Sequence, residues 1–409
     1  MSIKKEKIPI VRFRDFSEPW IKNQLSEVAE FSKGRGYSKK DLQSQGTPII
    51  LYGRLYTNYE SVISNVETYA NLEENSVVSE GGEVIIPASG ESADDISRAS
   101  CIIDRGIILG GDLNIVRPHE YLNSLFIAMT LSNGSQQREL SKRAQGKSVV
   151  HLHNSDLKAV KLFYPSYEEQ SAIGSLFRTI DDLLASYKDN LANYQSLKAT
   201  MLSKMFPKAG QTVPEIRLDG FEGEWKIKEL GEVIKFYSGL TYKPSDVLSS
   251  GTLVLRSSNV REGELIYIDN VFVDPGIVNC ENVKLGDIVV VVRNGSRDLI
   301  GKHALIKSEM PNTVIGAFMT GIRCDNPEFI NALLDTKMFI YEINRNLGAT
   351  INQITTGNFK KMKFYFPLTD EQQAIGSYFS NLDHLIVTHQ EKISQLETLK
   401  KRLLHDMFI

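Results

Sequence analysis

The feature of this sequence that most constrains its fold is an internal duplication. Residues 8–47 align with residues 213–252 at a constant offset of 205, and 14 of the 40 positions are identical. Residues 165–206 align with residues 367–408 at an offset of 202 without a gap, and 15 of the 42 positions are identical. Between these two matches the halves diverge. Because a long repeat defines the architecture before any local pattern does, the sequence predicts one unit of about 200 residues that is built twice.

Each half ends in a segment with helical periodicity. In residues 165–206, apolar side chains recur at spacings of three and four residues, which is close to a heptad seam. Residues 367–408 repeat the same steps. Ser166 and Glu169 have the spacing of a capping box at the start of the first segment. The pattern predicts two long helices whose apolar stripes pack on each other.

One glycine lies on each predicted stripe. A glycine inside a helix costs about 1 kcal/mol relative to alanine, yet Gly174 and Gly376 occupy the same register of the two copies. We expect these glycines to allow the two helix backbones to approach closely. The predicted helix–helix or partner interface comprises Ile173, Gly174, Phe177, Ile180, Leu184, Leu191, Leu197, Ile375, Gly376, Phe379, Leu382, Ile386, Ile393 and Leu399.

The segments that precede the two helices predict mixed α/β domains. Runs rich in β-branched residues, such as residues 83–88 and 287–292, alternate with Gly, Ser and Asn turns, whereas residues 121–133 and 329–347 have helical periodicity. The expected fold class is therefore α/β (α+β), as a tandem duplication of one mixed domain followed by a long helix. The predicted boundaries are 1–164 for the first domain, 165–207 for the first helix, 208–366 for the second domain and 367–409 for the second helix.

Composition and charge exclude several classes of protein. The 409 residues are 42% hydrophobic and 24% charged, which is typical of a soluble globular protein. The three cysteines, Cys101, Cys280 and Cys324, lie far apart and predict neither a disulfide framework nor a zinc ribbon. The N-terminus lacks the apolar core of a secretory signal, and no run approaches the length of a membrane helix. A net charge of −3 argues against a protein that coats nucleic acid non-specifically.

The chemistry of the loops indicates binding rather than catalysis. The sequence contains no HExxH, GxSxG or methyltransferase-like motif and no paired-histidine spacing, so no catalytic residue and no metal site are predicted. Several loops instead combine glycine, hydroxyl, amide and arginine side chains, which contact phosphates and base edges in protein–DNA complexes. The DNA-binding candidates are Arg35, Lys39, Arg54, Tyr56, Ser89, Ser92, Arg98, Lys142, Arg143, Arg256, Ser257, Asn259, Arg293, Asn294, Ser296, Arg297 and Lys302.

Two motifs occur in both halves. The first motif is the entry to each helix, Pro165, Glu169, Gln170, Ile173, Gly174 and Phe177, repeated as Pro367, Glu371, Gln372, Ile375, Gly376 and Phe379. The second motif is the opening of each half, Trp20, Leu25, Glu27 and Val28, repeated as Trp225, Leu230, Gly231, Glu232 and Val233. With these motifs the chain resembles a known family, the specificity (S, or HsdS) subunits of type I DNA restriction–modification systems. Ser26 replaces the usual glycine of the first opening, and one proline rather than two precedes each helix.

The resemblance implies a DNA-reading subunit without chemistry of its own. Two target-recognition domains would each read half of a split, asymmetric DNA site, and an antiparallel coiled coil of the two helices would hold the domains apart. Two methyltransferase (M) subunits would carry S-adenosylmethionine and methylate adenine at N6, and restriction (R) subunits would supply the ATP-driven, Mg²⁺-dependent nuclease. We expect no cofactor in this chain and a location in the bacterial or archaeal cytoplasm.

The resemblance also implies a spacing for the DNA target. Two domains that read the same face of B-DNA have half-site centres about one helical turn, or roughly 10 bp, apart. Half-sites of the size expected for the family then leave an unread spacer of about 5–8 bp. Two other functions stay open at this point, a non-catalytic scaffold with duplicated protein-binding domains and a nuclease whose carboxylates have no recognisable spacing.

Overall fold

The computed structural model describes residues 9–146, 149–347 and 352–408. The chain packs into two compact units, of which unit 1 comprises Met1–Tyr187 with Lys392–Ile409 and unit 2 comprises Lys188–Glu391. The division falls inside the two long helices. Each unit therefore contains one α/β body, the beginning of the helix that follows that body and the end of the other long helix. The four predicted segment boundaries stay a prediction, since the units are defined by packing and not by consecutive segments.

The first half of the chain contains short strands, short helices and one long helix. Its strands are Ile21–Gln24 (β1), Ala29–Lys33 (β2), Thr47–Ile50 (β3), Val62–Ile63 (β4), Tyr69–Ala70 (β5), Glu83–Pro87 (β6), Ser89–Gly90 (β7), Ser100–Ile102 (β8), Ile108–Leu109 (β9), Leu113–Pro118 (β10), Val150–His151 (β11) and Lys161–Tyr164 (β12). Its α-helices are Leu25–Val28 (α1), Arg54–Thr57 (α2), Ala93–Ile96 (α3), Ser124–Leu131 (α4), Gly134–Arg143 (α5), Asn154–Lys158 (α6) and Tyr167–Lys204 (α7).

The second half repeats this plan. Its strands are Lys226–Glu229 (β13), Lys235–Ser238 (β14), Val247–Leu248 (β15), Thr252–Leu255 (β16), Val260–Arg261 (β17), Glu264–Leu265 (β18), Val271–Val273 (β19), Ile288–Val291 (β20), His303–Leu305 (β21), Thr313–Ile315 (β22), Met319–Arg323 (β23) and Lys363–Phe366 (β24). Its α-helices are Leu230–Val233 (α8), Pro327–Leu334 (α9), Lys337–Asn346 (α10), Thr356–Lys360 (α11) and Thr369–Met407 (α12). Within the described ranges, no helix is long and apolar enough to cross a membrane.

A largely antiparallel sheet forms the centre of each body. Its strand order is β2-β10-β6-β8-β4 in unit 1 and β14-β23-β20-β21 in unit 2, so the first four strands correspond one to one. The strand β20 consists of four β-branched residues that are all buried, which suits a strand covered on both faces. The sequence prediction of a mixed α/β domain built twice is confirmed.

A smaller sheet packs beside the central one in each unit. Its order is β5-β3-β9 in unit 1 and β15-β19-β16-β22 in unit 2, and each contains one parallel pair, β3 with β9 and β16 with β22. The backbone crosses itself tightly next to these pairs. A Cβ atom on Gly34 would lie 1.9 Å from the carbonyl oxygen of Gly110, and one on Gly239 would lie 2.1 Å from that of Gly316. This crossing explains why Gly34 and Gly239 are identical in the two halves.

The two long helices run antiparallel within each unit. In unit 1, the rings of Phe177 near the start of α7 and Phe408 after the end of α12 lie 5.9 Å apart. In unit 2, the rings of Phe206 after the end of α7 and Phe379 near the start of α12 lie 6.1 Å apart. These phenylalanines belong to the main hydrophobic cores of the two bodies. The predicted antiparallel helix pair is confirmed, and its ends are part of the domain cores.

The two helix glycines were expected to pack against the other long helix, and this expectation is wrong. A Cβ on Gly376 would lie 2.7 Å from the backbone nitrogen of Phe329 in α9, and one on Gly174 would lie 3.4 Å from Cδ2 of Leu125 in α4. The glycines therefore face the short helix of their own body and not the other long helix. Close backbone approach does occur at Gly376, but it joins α12 to α9.

The predicted interface stripe is buried near the start of each long helix. Its members further along the helix are half-buried or exposed. Leu197 and Leu399 are 37% and 45% exposed, so their placement on a buried seam is wrong. A straight α-helix has 3.6 residues per turn, and a strict heptad pattern rotates steadily around it. Buried stripe members are Ile173, Gly174, Phe177, Ile180, Leu184, Ile375, Gly376, Phe379 and Leu382, and half-buried members are Leu191, Ile386 and Ile393.

The Glu–Gln pair at the start of each helix ties the helix to its own body. The carboxylate of Glu169 accepts two hydrogen bonds of 2.7 Å from Arg12, and its backbone N–H donates to Ser166 Oγ over 3.4 Å. The amide of Gln170 donates to the carbonyl oxygen of Pro165 over 2.9 Å. The Glu169 side chain thus binds an arginine, which corrects the predicted reciprocal capping box. Arg217 and Glu371 form the same clasp in unit 2.

Candidate nucleic-acid interface

In unit 2, the loop that carries most of the predicted DNA-binding residues leaves the central sheet at the end of β20. The backbone N–H groups of Val292 and Arg293 both donate to the carbonyl oxygen of Phe318, over 3.0 and 3.1 Å. Arg293 also forms an isolated antiparallel bridge with Gln353. The loop therefore leaves the sheet in a defined direction, between the turn that precedes β23 and the segment that precedes α11.

Asn294 connects this loop to two further segments. Its backbone N–H donates to the carbonyl oxygen of Asn352 over 3.2 Å, and its side-chain amide donates to Ser257 Oγ over 3.0 Å. The side-chain oxygen of Asn294 accepts from the backbone of Ser296 over 3.0 Å, and Asn352 donates to the carbonyl oxygen of Gly295 over 2.9 Å. Asn294 and Ser257 thus shape the loop, and their amide and hydroxyl groups are partly engaged.

Four of the predicted residues in this loop, Arg293, Ser296, Arg297 and Lys302, are exposed. The guanidinium carbon of Arg293 lies 4.9 Å from the ring centre of Phe318. Arg297 donates one hydrogen bond of 3.3 Å to the carbonyl oxygen of Asn344. Two arginines and one lysine on one preformed loop provide donors for phosphate oxygens and for the acceptors of guanine.

Two other predicted residues of unit 2 have structural roles. Asn259 is fully buried, and its amide donates to the carbonyl oxygens of Ile266 and Ile268 over 3.0 and 3.4 Å. Asn259 is therefore withdrawn as a DNA-contacting residue, because its side chain holds the chain between β17 and β19. The half-buried Arg256 donates to the carbonyl oxygen of Asp269 over 2.5 Å.

In unit 1, the equivalent loop follows β6 and contains α3. Ser92 is exposed and caps α3 by accepting from the backbone of Asp95 over 3.2 Å. Arg98 is half-buried, and its guanidinium carbon lies 5.5 Å from the ring centre of Tyr59. Ser89 is buried and hydrogen-bonds to His151 over 3.1 Å, so its prediction as a surface contact is wrong. The loop at this position therefore presents different side chains from the loop after β20.

The remaining predicted residues of unit 1 divide between exposed and internally paired side chains. Arg35, Lys39 and Lys142 are exposed. Arg54 donates to Glu60 and to the carbonyl oxygen of Asn65, both over 2.6 Å, so fewer of its donors are available for DNA.

Two further side chains of unit 1 from the same prediction are half-buried. Arg143 pairs with Glu139 over 2.9 Å on α5. The ring of Tyr56 packs against that of Tyr52 with their centres 6.1 Å apart. Burial raises the pKa of the Tyr56 hydroxyl above its ordinary value. Neither side chain is as accessible to DNA as the exposed members of the set.

Unit 2 also contains a charged cluster that the sequence analysis missed. Lys198 Nζ of α7 lies 2.6 Å from a carboxylate oxygen of Asp335 and 2.6 Å from one of Asp383 in α12. The other oxygen of Asp335 lies 3.3 Å from Nε2 of His303. Lys198, Asp335 and Asp383 line a pocket of about 340 Å³. The equivalent pair in unit 1 joins Lys400 to Asp181.

The pKa values in this cluster are moved by the neighbouring charges. Burial alone would raise the pKa of the Asp335 carboxyl, but the bonds and charges of His303 and Lys198 lower it to about 2. Burial raises the pKa of Asp383 above its ordinary value despite its contact with Lys198. Burial lowers the pKa of His303 less than the Asp335 carboxylate raises it, so the net shift is upward. Each charge has a partner of opposite sign, which is the pattern of a structural ion cluster.

The described part of the chain holds no group of three or more His, Cys, Asp or Glu side chains arranged for a metal ion. Phe318 and the Lys198 cluster are the residues that sequence reasoning missed. Phe318 gave no sequence signal, because a single phenylalanine is most often buried and its sequence context does not show that it will be exposed. The cluster did give a signal, since Lys198 and Asp383 are identical to Lys400 and Asp181 at equivalent repeat positions.

Comparison with known proteins identifies the family. The family model described as the type I restriction modification DNA specificity domain matches residues 17–193 and again residues 222–398. This chain belongs to that family. It is similar to the type I restriction enzyme MjaVIII specificity subunit of Methanocaldococcus jannaschii, with 21% identity over 405 residues that cover 95% of this chain and 92% of that protein. A protein of this family is the DNA-targeting component of a type I restriction–modification system, whose complex also includes modification and restriction subunits.

The specificity-subunit fold is also seen in a solved structure. The type I restriction–modification S subunit from M. genitalium aligns with a TM-score of 0.65 and 16% identity, covering 98% of this chain and 99% of that chain. The duplicated bodies and the two long helices are therefore the architecture of a known specificity subunit. The resemblance inferred from the helix-entry and opening motifs is confirmed.

Proposed function

We propose that each unit of this specificity subunit reads one half of a bipartite, asymmetric DNA site. The observation that carries the proposal is the pair of loops after β6 and β20. They occupy equivalent places in two copies of one fold, yet one presents Ser92 and Arg98 and the other presents Arg293, Arg297 and Lys302. Two copies of one fold whose equivalent loops carry different side chains suit the reading of two different sequences, because base edges are distinguished by side-chain donors and acceptors.

The chemistry of modification and restriction is assigned to partner subunits. Two M subunits bind S-adenosylmethionine and methylate adenine, and R subunits use ATP and Mg²⁺. The net charge of −3 supports this division of labour, because contacts to phosphates usually need an excess of basic side chains and the M subunits can provide them. The purified chain should therefore transfer no methyl group from labelled S-adenosylmethionine and cut no DNA with Mg²⁺. Either activity in a preparation free of partner subunits would overturn the assignment.

Sequencing of methylated adenines tests the assignment of half-sites. Cells that express this chain with its M partner should contain one bipartite motif. Arg297→Ala should relax only the half-site read by unit 2, and Arg35→Ala should relax only the other half-site, since the two exposed arginines lie in different units. Arg54→Ala is a matched control, because its internal pairing predicts a loss of stability without a change of motif. If Arg297→Ala and Arg35→Ala relaxed the same half-site, the proposal would be wrong.

The spacer of the DNA site is proposed to be about 5–8 bp, with half-site centres about one turn of B-DNA apart. If the long helices set this distance, inserting four residues between Tyr187 and Leu197 should change the preferred spacer by lengthening α7 by about 6 Å. The half-site sequences should stay the same. An insertion strain that methylates sites with the original spacer would show that the helices do not determine the spacing.

A further inference from the structure

The loop after β20 contains one arginine, Arg293, that contacts an aromatic ring and whose guanidinium bonds to none of the described residues. Arg293 is exposed, and within the part of the chain that the structure describes its guanidinium makes no hydrogen bond or ion pair. The other arginines of unit 2 that were candidates differ in this respect. Arg256 donates to Asp269 and Arg297 to Asn344, in each case to a carbonyl oxygen.

The ring beside Arg293 is more exposed than is usual for its type. Phe318 is 52% exposed, although burial of a phenylalanine side chain is favourable. Its backbone carbonyl accepts hydrogen bonds from both Val292 and Arg293, so ring and guanidinium are attached to one rigid junction. The cation–π distance of 4.9 Å lies within the range of an attractive contact.

The contact with the ring uses none of the hydrogen-bond donors of Arg293. The ring attracts the charge of the guanidinium, whereas the five N–H donors in the guanidinium plane are available to a ligand. A guanidinium held in this way presents two parallel donors that match the O6 and N7 acceptors of guanine in the major groove. A lysine cannot present this pair of donors, because its ammonium is a point charge.

The surrounding loop has the rigidity that such reading requires. Asn294 is bonded to Ser257 and to Asn352, and Asn352 is bonded to Gly295. The residues that follow Arg293 are thus attached to two other segments of the same unit. A contact arginine on a preformed loop loses less conformational entropy when DNA binds than one on a free loop.

We infer that Phe318 is a positioning residue for base reading and that it holds Arg293 for contact with a guanine in the half-site recognised by unit 2. The inference rests on the proposed function and adds to it the base that is read and the pair of residues that reads it. Phe318 itself makes no base contact in this arrangement. Its effect on specificity passes through Arg293.

The test uses the chain in complex with its M partner and measures methylation rates on duplex oligonucleotides. The wild-type methylation motif is determined first, and each base pair of the second half-site is then replaced in turn. Arg293→Ala should lower the preference for guanine at one position by about tenfold or more. Phe318→Ala should lower the preference at the same position by about two- to fivefold. The first half-site should be read as before by both variants.

Three further variants separate positioning from a general structural role. Phe318→Tyr keeps the ring and should restore discrimination, whereas Phe318→Leu keeps an apolar side chain and should not. Arg293→Lys keeps the charge and should lose discrimination as Arg293→Ala does. The double variant of Arg293→Ala with Phe318→Ala should be no worse than Arg293→Ala, because both changes act through one contact. Thermal unfolding of each variant confirms that the fold is retained.

The possible failures are distinguishable. If the wild-type complex has no bipartite motif, the proposed function is wrong and the inference is wrong with it. If the motif is bipartite but Arg293→Ala slows methylation equally on every oligonucleotide, Arg293 contacts phosphate and the inference alone is overturned. Phe318→Leu with wild-type discrimination, or a double variant whose loss is the sum of the two single losses, overturns the positioning role of Phe318.

Discussion

Replacing Lys198 with methionine tests whether the charged cluster of unit 2 stabilises the packing of the long helices on the body. Lys198 Nζ lies 2.6 Å from oxygens of both Asp335 and Asp383. Methionine retains much of the apolar length of lysine but has no charge. The variant therefore leaves two carboxylates facing each other where the wild type has a balanced group, and unit 2 should become less stable without losing its fold.

The size of the effect follows from the burial of the three side chains. They expose only 20–24% of their surface. Removing one partner of a buried ion pair costs about 3–5 kcal/mol, and the partial exposure puts Lys198→Met near the lower end, at about 3 kcal/mol. Lys400→Met is the matched control in unit 1, because Lys400 contacts a single carboxylate, that of Asp181, which is 34% exposed. A partly exposed pair contributes about 1 kcal/mol or less.

The two tryptophans of the chain allow the units to be followed separately. Trp225 is buried in the core of unit 2 and Trp20 in that of unit 1. In a Trp20→Phe background, fluorescence during urea unfolding reports on unit 2; in a Trp225→Phe background, it reports on unit 1. The free energy of unfolding should fall by about 2 kcal/mol more for Lys198→Met in unit 2 than for Lys400→Met in unit 1. Equal losses would refute the reasoning.

The pH dependence provides a second check. The Asp335 carboxyl has a pKa of about 2, below its ordinary value, so its contribution to stability is present above about pH 4 and is lost as the pH falls toward 2. The raised pKa of His303 gives a contribution that is complete below about pH 6.5 and is lost as the pH rises through the folded value. Without Lys198, protonation of Asp335 or Asp383 should relieve the repulsion. The deficit of Lys198→Met should therefore shrink from about pH 8 to pH 5, and a constant deficit contradicts the cluster model.

Two further substitutions test the attachment of α12 to its body. Gly376→Ala should destabilise unit 2, because the added Cβ would lie 2.7 Å from the backbone nitrogen of Phe329; Gly174→Ala, whose Cβ meets ordinary contacts from 3.4 Å, should be tolerated in the same unfolding assay. Arg217→Ala leaves the carboxylate of Glu371 buried without its cation. The free energy of unfolding of unit 2 should fall by about 3 kcal/mol. A fall of less than about 1 kcal/mol, the value of a surface ion pair, would show that the Arg217–Glu371 pair does not stabilise the unit.

Much of the fold was predictable from the sequence, because the duplication shows each element twice and the two copies indicate the same structure. The helices predicted over residues 165–206 and 367–408 are observed as Tyr167–Lys204 and Thr369–Met407. Their periodicity, flanking prolines and identical motifs all indicate the same boundaries. The partner of each helix was less predictable, since an apolar stripe does not show whether it will face another helix or a domain core. The packing of Gly376 against Phe329 is a tertiary contact, and no local pattern specifies it.

The candidate interface was predictable in its loops but not in the orientation of its side chains. An arginine in a polar loop has the same sequence signal whether it bonds to none of the described residues, as Arg293 does, or is paired internally, as Arg54 is. The acceptors of Arg54 are Glu60 and the carbonyl oxygen of Asn65. Whether Arg54 reaches these groups depends on how the intervening loop folds. Asn259 was misassigned for the same reason, because its burial and its hydrogen bonds to Ile266 and Ile268 are tertiary contacts that no local pattern specifies.

The two halves show where a duplicated specificity subunit can diverge and where it cannot. Arg12 and Arg217, with Glu169 and Glu371, are identical, and both pairs clasp a body to its long helix.

The positions that join the two long helices are identical as well. Asp181 with Lys400 and Asp383 with Lys198 connect the helices within units 1 and 2. Changing Lys198 leaves two partly buried carboxylates without their cation and is costly, whereas a change in the more exposed Lys400–Asp181 pair costs less.

The loops after β6 and β20 follow strands of the two central sheets, and their exposed side chains take part in none of these ion pairs. A substitution such as Arg293→Ala there should leave the fold intact, since surface changes away from buried networks usually alter stability by less than about 0.5 kcal/mol. The exposed loop residues of each unit can thus change without loss of the pairs that stabilise the domains and helices.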